Sequence, residues 1–138
     1  MPQVFSGFSK GRRFKRSTHL LQLVGLDKLA HRLPPELSGG QQQKIAIARA
    51  LVNNPWIIVA DEPTGSLDSK SSTEVLDILA NLNNKSRRTV IMVTHNPDQL
   101  ALAHRIVHLK DGHIIKIEKR RGFHHGMIKD DDPGEVVL

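Results

Sequence analysis

The sequence predicts an α/β fold built around a parallel sheet. Two unbroken apolar runs of strand length, WIIVA at 56–60 and TVIMV at 89–93, have the composition of strands that are covered on both faces. Between them, residues 70–83 place apolar side chains on one face of a helix. A strand, a helix and a second strand in this order predict a right-handed crossover between parallel neighbours.

Length and composition fit one domain. The chain has 138 residues, of which 38% are apolar, and this suffices for a hydrophobic core. There is no cysteine, so disulfides and thiolate metal sites are excluded. No apolar run approaches the ~18 residues that span a bilayer, and no secretory signal pattern follows the basic start. We therefore expect a soluble protein of the cytoplasm.

The formal net charge of +6 is concentrated near the amino terminus. Five cations precede the first acidic residue; they are Lys10, Arg12, Arg13, Lys15 and Arg16. We expect residues 1–16 to be a disordered basic leader, because the segment is short, aperiodic and contains glycine. Contact of this leader with nucleic acid or anionic lipid is the alternative. No specific nucleic-acid partner is expected.

The folded part is predicted to begin at Ser17. From there leucine, valine and alanine recur at helical spacing around Gly25, where we expect a turn. The sequence LPPE at 33–36 ends the pattern, because the residue before a proline disfavours helical geometry. Helices are therefore expected on the amino-terminal side of the first strand.

Ser38 and Gln41 have the spacing of a capping box at the start of a helix. We expect this helix to run to about Asn53. Gly39 and Gly40 follow the cap and should leave exposed backbone N–H groups at the positive end of the helix dipole, which suits a phosphate. A capped helix without a ligand is the alternative, but two successive glycines are then an unnecessary entropic cost.

After the second strand, the sequence predicts a short helix and a hairpin. NPDQLALAH at 96–104 has a helical pattern, and RIVHL at 105–109 and HIIKIE at 113–118 are strand-like and joined by a tight Asp-Gly turn. Residues 119–138 lack periodicity, so we expect a loose tail. The predicted folded domain is thus 17–118.

The chemically reactive residues follow the two predicted strands. Asp61 and Glu62 come after the first strand, and Thr94 and His95 come after the second. Ligands in open parallel sheets gather at this edge. A carboxylate there is favourable beside a cation, so Asp61 is a candidate Mg²⁺ ligand. Glu62 is a candidate to activate water for attack on a phosphoryl group, and His95 to hold that phosphate or to orient Glu62.

Four short motifs occur in the order and at the spacing of one family. LSGGQQQ at 37–43 resembles the signature motif of the ATP-binding subunits of ABC (ATP-binding cassette) transporters, and IIVADEP at 57–63 resembles their Walker B strand. GSLD at 65–68 resembles the D-loop, and TH at 94–95 resembles the switch histidine. The run DEPTGSLDS is most similar to the branch with lipoprotein-release and macrolide exporters and the cell-division cassette.

The resemblance implies a fold and a role for the residues at the strand ends. The fold is a partial P-loop NTPase (ABC ATPase) fold: a parallel sheet, signature-bearing helices on its amino-terminal side and a carboxy-terminal antiparallel hairpin. Asp61 would coordinate Mg²⁺ through water, Glu62 would be the general base, and His95 would contact the γ-phosphate. The implied cofactors are ATP and Mg²⁺.

The signature and the D-loop are implied to act on a second subunit. Contacts to ATP held mainly by the opposite subunit are implied for Ser38, Gly39, Gly40 and Gln41. Asp68 would work across the dimer interface. Lys44 stands where the family often has arginine, and the two side chains differ in hydrogen-bonding geometry. The implied partners are a second cassette and a membrane-spanning permease, at the cytoplasmic face of the cell membrane.

The other half of the nucleotide site has no counterpart in these 138 residues. No stretch matches G-x-x-x-x-G-K-[ST], the P-loop whose backbone N–H groups and lysine surround the phosphates. The Q-loop and the adenine-stacking aromatic are not recognisable in residues 1–36. We therefore expect a truncated cassette that binds ATP poorly and hydrolyses little by itself. Loss of the P-loop strand also predicts unpaired sheet edges and an exposed apolar face.

Two other functions stay open. In the first, the chain is a non-catalytic partner that lends its signature surface to a full-length subunit. In the second, it is a lobe of a chromosome-maintenance or DNA-repair ATPase, since such lobes also carry a signature and a Walker B strand without a P-loop. No heptad coiled coil precedes the signature here, which favours the transporter interpretation.

Overall fold

The computed structural model describes residues 9–120, in which the elements follow the predicted order. The helices are α1 (Lys10–Leu23), α2 (Gly39–Ala50) and α3 (Ser69–Asn84). The strands are β1 (Ile57–Asp61), β2 (Thr89–Val93), β3 (Arg105–Lys110) and β4 (His113–Lys119). Short 3₁₀ helices occupy connections at Asp27–Leu29, Pro34–Glu36, Leu51–Asn53 and Pro97–Leu102.

The chain divides into two units. The first comprises the residues up to Pro55 together with Thr64–Ile78, and the second comprises Trp56–Pro63 and the residues from Leu79 onward. Helices α1 and α2 therefore belong to the first unit and all four strands to the second, while α3 contributes to both.

Helix α1 begins earlier than the sequence predicts. It starts at Lys10 rather than at Ser17, so the basic residues of the predicted leader lie in a helix instead of a disordered segment. A distant contact explains the difference, because Arg16 Nε donates a hydrogen bond to the backbone carbonyl of Val52. The rest of the predicted leader, 1–8, and nearly all of the predicted loose tail, 121–138, lie outside the described residues.

The core of the first unit is formed by apolar residues of its helices. Buried side chains come from all three helices and the connections; they are Leu20, Val24, Leu26, Ile47, Ala48, Leu51 and Val75. Gly25 adopts a left-handed φ of 71° directly after α1, which is the expected turn. Helix α2 ends in a 3₁₀ turn whose cap, Asn54, is also left-handed with φ 55°.

In the second unit, β1 and β2 form a two-stranded parallel sheet. Their register runs from the pair Ile57 and Thr89 to the pair Asp61 and Val93. One face of the sheet is buried through Ile58, Val90 and Met92.

The other face of this sheet is exposed, so the expectation of strands covered on both faces is wrong. Ile57 is 56% exposed, Val59 69% and Val93 50%. Among residues 9–120 no further strand pairs with β1 or β2, so each strand has one unpaired edge. The unpaired edges and the exposed apolar face agree with the prediction made from the absent P-loop strand.

Strands β3 and β4 form the predicted antiparallel hairpin. The two turn residues, Asp111 and Gly112, have φ of 50° and 77°, as a tight two-residue hairpin turn requires. The pairing is irregular between His108 and Leu109. In the part of the chain that the structure describes, no helix has the length and apolar character needed to cross a membrane.

Burial of Leu51 predicts a large contribution to stability. This side chain is 1% exposed, whereas Leu33 is 66% exposed. We expect Leu51→Ala to lower the free energy of unfolding by about 2–5 kcal/mol, because the truncation leaves a cavity. Leu33→Ala is the matched control and should change it by less than about 0.5 kcal/mol. Urea denaturation followed by circular dichroism measures both; equal losses would contradict the described core.

Candidate functional site

The structure brings the side chain of Glu62 to His95 at the carboxyl ends of β1 and β2. Glu62 Oε1 accepts a hydrogen bond from the backbone N–H of His95 at 2.9 Å and lies 2.7 Å from His95 Nδ1. The backbone N–H of Glu62 donates to the carbonyl of Val93 at 2.9 Å. The parallel ladder thus continues one residue past β1 and fixes the glutamate.

With Glu62 ionised, this contact defines which ring nitrogen of His95 carries a hydrogen. An ionised carboxylate only accepts hydrogen bonds, so Nδ1 must carry the hydrogen that it shares with Glu62. The His95 side chain is 84% exposed, which leaves Nε2 accessible. To donate from Nε2 to a phosphate at the same time, the ring would have to carry both hydrogens and be a cation.

Glu62 adopts an unusual backbone conformation. Its φ is 43°, in the left-handed region that residues with a Cβ rarely occupy. Such a conformation costs on the order of 1–3 kcal/mol and persists only where its surroundings fix it. The hydrogen bonds to Val93 and His95 supply that fixation.

Asp61 ends β1 beside Glu62, opposite Val93 in the register. Its side chain is exposed. Among residues 9–120, no group of three or more histidine or acidic side chains converges as a metal site would require. Asp61 can therefore supply a single carboxylate to a cation, which fits Mg²⁺ because this ion commonly takes one or two carboxylates and completes its shell with water and phosphate oxygens.

The signature segment starts α2 with the predicted capping box, which the structure confirms. The Ser38 N–H donates to Gln41 Oε1 at 3.0 Å, and the Gln41 N–H donates to Ser38 Oγ at 3.3 Å. Both predicted ligand-contacting side chains are thus engaged in ordering the helix start. Gly39 is exposed but Gly40 is buried, so the expectation of exposed backbone N–H groups applies to Gly39 alone.

Gly40 lies against the first turn of α3. A Cβ at this position would lie 2.6 Å from Ser71 Oγ and 2.7 Å from Ser71 Cβ, both closer than real contacts allow. The second glycine is therefore required by packing, and the view that it is an unnecessary cost of a plain capped helix is wrong. At Gly39 the nearest atom, Leu67 Cδ2, would be 3.6 Å away, which is an ordinary contact.

Asp68 caps α3 through the same serine. Its Oδ1 accepts from the Ser71 N–H at 3.0 Å, and its Oδ2 accepts from Ser71 Oγ at 2.7 Å. Both bonds hold the pKa of the Asp68 carboxyl below its ordinary value of 3.8, and the bond from the Ser71 backbone N–H has the larger effect. The contacts define an N-cap. The role of Asp68 across a dimer interface stays a prediction.

Lys44 makes a second contact between α2 and α3. Its Nζ lies 2.5 Å from Glu74 Oε2, and the hydrogen bond lowers the pKa of the Glu74 carboxyl. The Lys44 side chain is 15% exposed, whereas the Glu74 side chain is 44% exposed. At the position where the family often has arginine, Lys44 thus makes a contact through its single ammonium group.

Sequence comparison connects these features to one family. A family model described as ABC transporter matches residues 4–65. The uncharacterized ABC transporter ATP-binding protein MJ1508 of Methanocaldococcus jannaschii is 50% identical over 117 residues, which are 85% of this chain and 52% of that protein. The macrolide export ATP-binding/permease protein MacB of Escherichia coli is 46% identical over 116 residues, 84% of this chain and 18% of that protein.

The comparison with solved structures agrees with the sequence comparison. The ATP-binding cassette MJ0796, solved as a dimer in a post-hydrolysis state bound to ADP and Pi, matches with a TM-score of 0.72 and 45% identity over 84% of this chain. Over most of its length the chain is homologous to ABC transporter ATP-binding proteins. Its similarity to the macrolide-type cassettes confirms the branch suggested by DEPTGSLDS.

The chain spans about half the length of the ATP-binding proteins MJ1508 and MJ0796 that it matches. It covers 52% of MJ1508, 54% of the MJ0796 protein of Methanocaldococcus jannaschii and 50% of the solved MJ0796 chain. The structure of this chain is an α/β fold with a parallel sheet and an antiparallel hairpin. Together with its match to solved ATP-binding cassettes, this confirms the predicted fold class.

The predicted site residues of the cassette divide between the two units. Asp61, Glu62 and His95 lie in the second unit, whereas the signature residues and Asp68 lie in the first. Sequence reasoning missed Ser71, which contacts both Gly40 and Asp68. A partial signal was present, since Ser71 stands three residues after Asp68, the spacing at which an N-cap side chain meets a backbone N–H.

The Gly40 contact predicts a specific rescue. Gly40→Ala should lower the free energy of unfolding by about 1–3 kcal/mol, because the new Cβ overlaps Ser71. Adding Ser71→Gly should recover part of this loss, whereas Ser71→Ala should not, since alanine keeps the Cβ. Urea denaturation of the single and double variants gives the coupling energy, expected to exceed about 0.5 kcal/mol. Additive effects of Gly40→Ala and Ser71→Gly would show that the two residues do not meet.

The Asp68 cap predicts a dependence of stability on pH. Because the pKa of Asp68 is lowered in the folded chain, its stabilising contribution is full above the unfolded pKa of 3.8 and is lost as the pH falls through the lower folded value. Asp68→Asn retains a capping oxygen but does not titrate. Thermal unfolding from pH 7 to pH 2 should show the original chain losing stability relative to Asp68→Asn only below about pH 4. Parallel curves would exclude the cap.

Proposed function

We propose that this chain is the part of an ABC transporter ATP-binding subunit that carries the catalytic glutamate and the signature helix. The observation that carries the proposal is the position of Glu62, whose Oε1 is held by two nitrogens of His95 at the carboxyl edge of the parallel sheet. The names of the relatives support the assignment, since MJ1508 and MacB are both described as ATP-binding.

In the proposed reaction, Glu62 acts as general base. One carboxylate oxygen is occupied by His95, so the other accepts a proton from the water that attacks the γ-phosphorus. The bond from that phosphorus to the β-phosphate oxygen breaks, and ADP and phosphate leave. His95 is in the first place a positioning residue, because it fixes Glu62 through its backbone N–H as well as through its ring.

Asp61 is the proposed metal ligand. It would hold Mg²⁺ through a bound water, as the family resemblance implies, with phosphate oxygens and further water completing the shell. When bound, Mg²⁺ supplies neutralisation of the charge on the phosphates. Exposure of the Asp61 carboxylate at the strand end leaves it accessible for this role.

We further propose that these 138 residues require a P-loop from elsewhere. The sequence has no G-x-x-x-x-G-K-[ST], which supplies the backbone N–H groups and the lysine that surround the phosphates. Binding of ATP by the chain alone should therefore be weak. The proposed partners are a second cassette and a membrane-spanning permease, and the proposed place is the cytoplasmic face of the cell membrane.

A second candidate function is that of a non-catalytic partner, which supplies its signature motif to a full-length subunit. The capping box orders the start of α2, and Ser38 and Gly39 are both exposed there. This surface would close on ATP held by an intact subunit. Stimulation of an intact cassette that is lost in Ser38→Arg supports this candidate, and no effect at any ratio contradicts it.

The catalytic proposal predicts activity that depends on both a P-loop and Glu62. The chain alone should hydrolyse Mg-ATP no faster than its Glu62→Gln variant. Coexpression with a segment of an ABC ATP-binding subunit that carries a G-x-x-x-x-G-K-[ST] P-loop should produce turnover. Glu62→Gln should then lower kcat by about 10²-fold or more, because the general base is lost. Phosphate release measures the rates.

The control is the P-loop segment alone, which lacks Glu62 of this chain and should be inactive. Glu62-dependent turnover by the chain alone would contradict the need for a P-loop. An assembled complex that binds Mg-ATP but shows no turnover would contradict the catalytic role of Glu62.

A further inference from the structure

The exposed side of α1 combines cations with an aromatic ring. Within the first two turns of this helix, Lys10, Arg12 and Lys15 are all exposed. Phe14 precedes Lys15 and is 74% exposed. We call the side chains of Lys10, Arg12, Phe14 and Lys15 the cationic face. The proposed reaction makes no use of this surface, which belongs to the first unit.

The packing of α1 directs the cationic face outward. Leu20 is 7% exposed and the C-cap residue Val24 is 3% exposed, so both lie in the core of the first unit. Arg16 is half-buried and donates to the carbonyl of Val52. At 3.6 residues per turn, Arg16, Leu20 and Val24 share one side of the helix. Lys15 lies on the opposite side, so α1 is anchored without covering it.

The cations occupy the end of α1 that is least favourable for them. The first turn has no acidic residue, and the N-cap Ser9 makes no capping bond through its side chain. Positive side chains oppose the helix dipole at an amino terminus, and like charges three residues apart, such as Arg12 and Lys15, repel each other. Proteins retain such departures from local preference mainly at functional or strained sites. A negatively charged surface beside α1 would offset both unfavourable effects.

We propose that the cationic face binds the surface of a membrane that contains anionic lipid. Clusters of about four to eight Lys or Arg on a helix are typical of such binding, and α1 has five within residues 10–16. An exposed phenylalanine such as Phe14 suits the boundary between headgroups and acyl chains. The proposed function supplies only the location at a membrane, and lipid has no part in the proposed reaction.

Single-stranded nucleic acid is the competing anionic partner, and it fits α1 less well. Proteins that bind it combine cations with several aromatic side chains on which successive bases stack. Phe14 is the one Phe, Tyr or Trp in Lys10–Leu23. A single ring can enter a layer of lipid headgroups, but it does not form a stacking platform. The composition of the helix therefore favours lipid.

Vesicle flotation of the full chain without nucleotide tests the proposal. Flotation is suitable because aggregated protein does not rise with lipid. We expect the chain to bind vesicles of phosphatidylcholine that contain about 30% phosphatidylserine, and to bind pure phosphatidylcholine at least about tenfold more weakly. Added salt should weaken binding to the phosphatidylserine vesicles, because it screens the charges.

Variants of the cationic face separate its charges from its aromatic ring. Lys10→Gln combined with Lys15→Gln should raise the Kd for phosphatidylserine vesicles at least about tenfold. Phe14→Ala should also raise the Kd but leave its salt dependence unchanged, because an apolar contact is not screened. All three side chains are exposed, so the circular dichroism spectrum should stay that of the original chain.

The matched control is Lys28→Gln combined with Lys70→Gln. These two lysines are also exposed and belong to the first unit, but they lie outside α1. The control pair removes the same net charge as the pair in the cationic face. It should change the Kd by less than about twofold, since charges away from the contact are screened.

Three results would overturn the proposal. They are equal or absent binding to the two kinds of vesicle, equal weakening by the control pair, and tighter binding of a single-stranded oligonucleotide of about 20 nucleotides than of phosphatidylserine vesicles. Absent ATP hydrolysis with vesicle binding retained would refute the catalytic role of Glu62 and leave the cationic face supported. Turnover that depends on Glu62 without vesicle binding would refute the lipid contact alone.

Discussion

The parallel pairing of β1 and β2 is the constraint on which the candidate catalytic site depends. The register places Asp61 beside Val93, and the next hydrogen bond of the ladder joins the Glu62 N–H to the Val93 carbonyl. His95, two residues beyond Val93, thereby comes within reach of the Glu62 carboxylate. A shift of one residue would turn alternate side chains to the opposite face of the sheet and separate this pair.

The same pairing has a structural cost. Two parallel strands alone cannot bury both of their faces, and apolar residues such as Ile57 and Val59 lie in water on the uncovered side. The site and the exposed side of the β1–β2 sheet are therefore two consequences of one strand pairing. Completion of the sheet would reduce this cost and would bring a further strand to the carboxyl edge that carries the reactive residues.

Features set by neighbouring residues could be predicted from the sequence. They include the bounds of β2, the capping box of Ser38 and the tight turn at Asp111. Features set by distant contacts could not. The early start of α1 depends on Arg16 reaching Val52, and the burial of Gly40 depends on Ser71. Apolar composition likewise identified β1 as a strand but did not reveal which of its faces is covered, because that depends on elements outside the strand.

The residues of the candidate site differ in how strongly they indicate function. Gly40 is explained by packing, since no larger residue fits beside Ser71, and Asp68 is explained as a helix cap. Glu62 also accepts a backbone N–H, that of His95, but it does so from a strained backbone conformation. Its left-handed φ of 43° favours glycine or asparagine, and a glutamate there is strained. Because a turn alone does not require this carboxylate, its fixation by both nitrogens of His95 is the strongest structural argument for chemistry at this edge of the sheet.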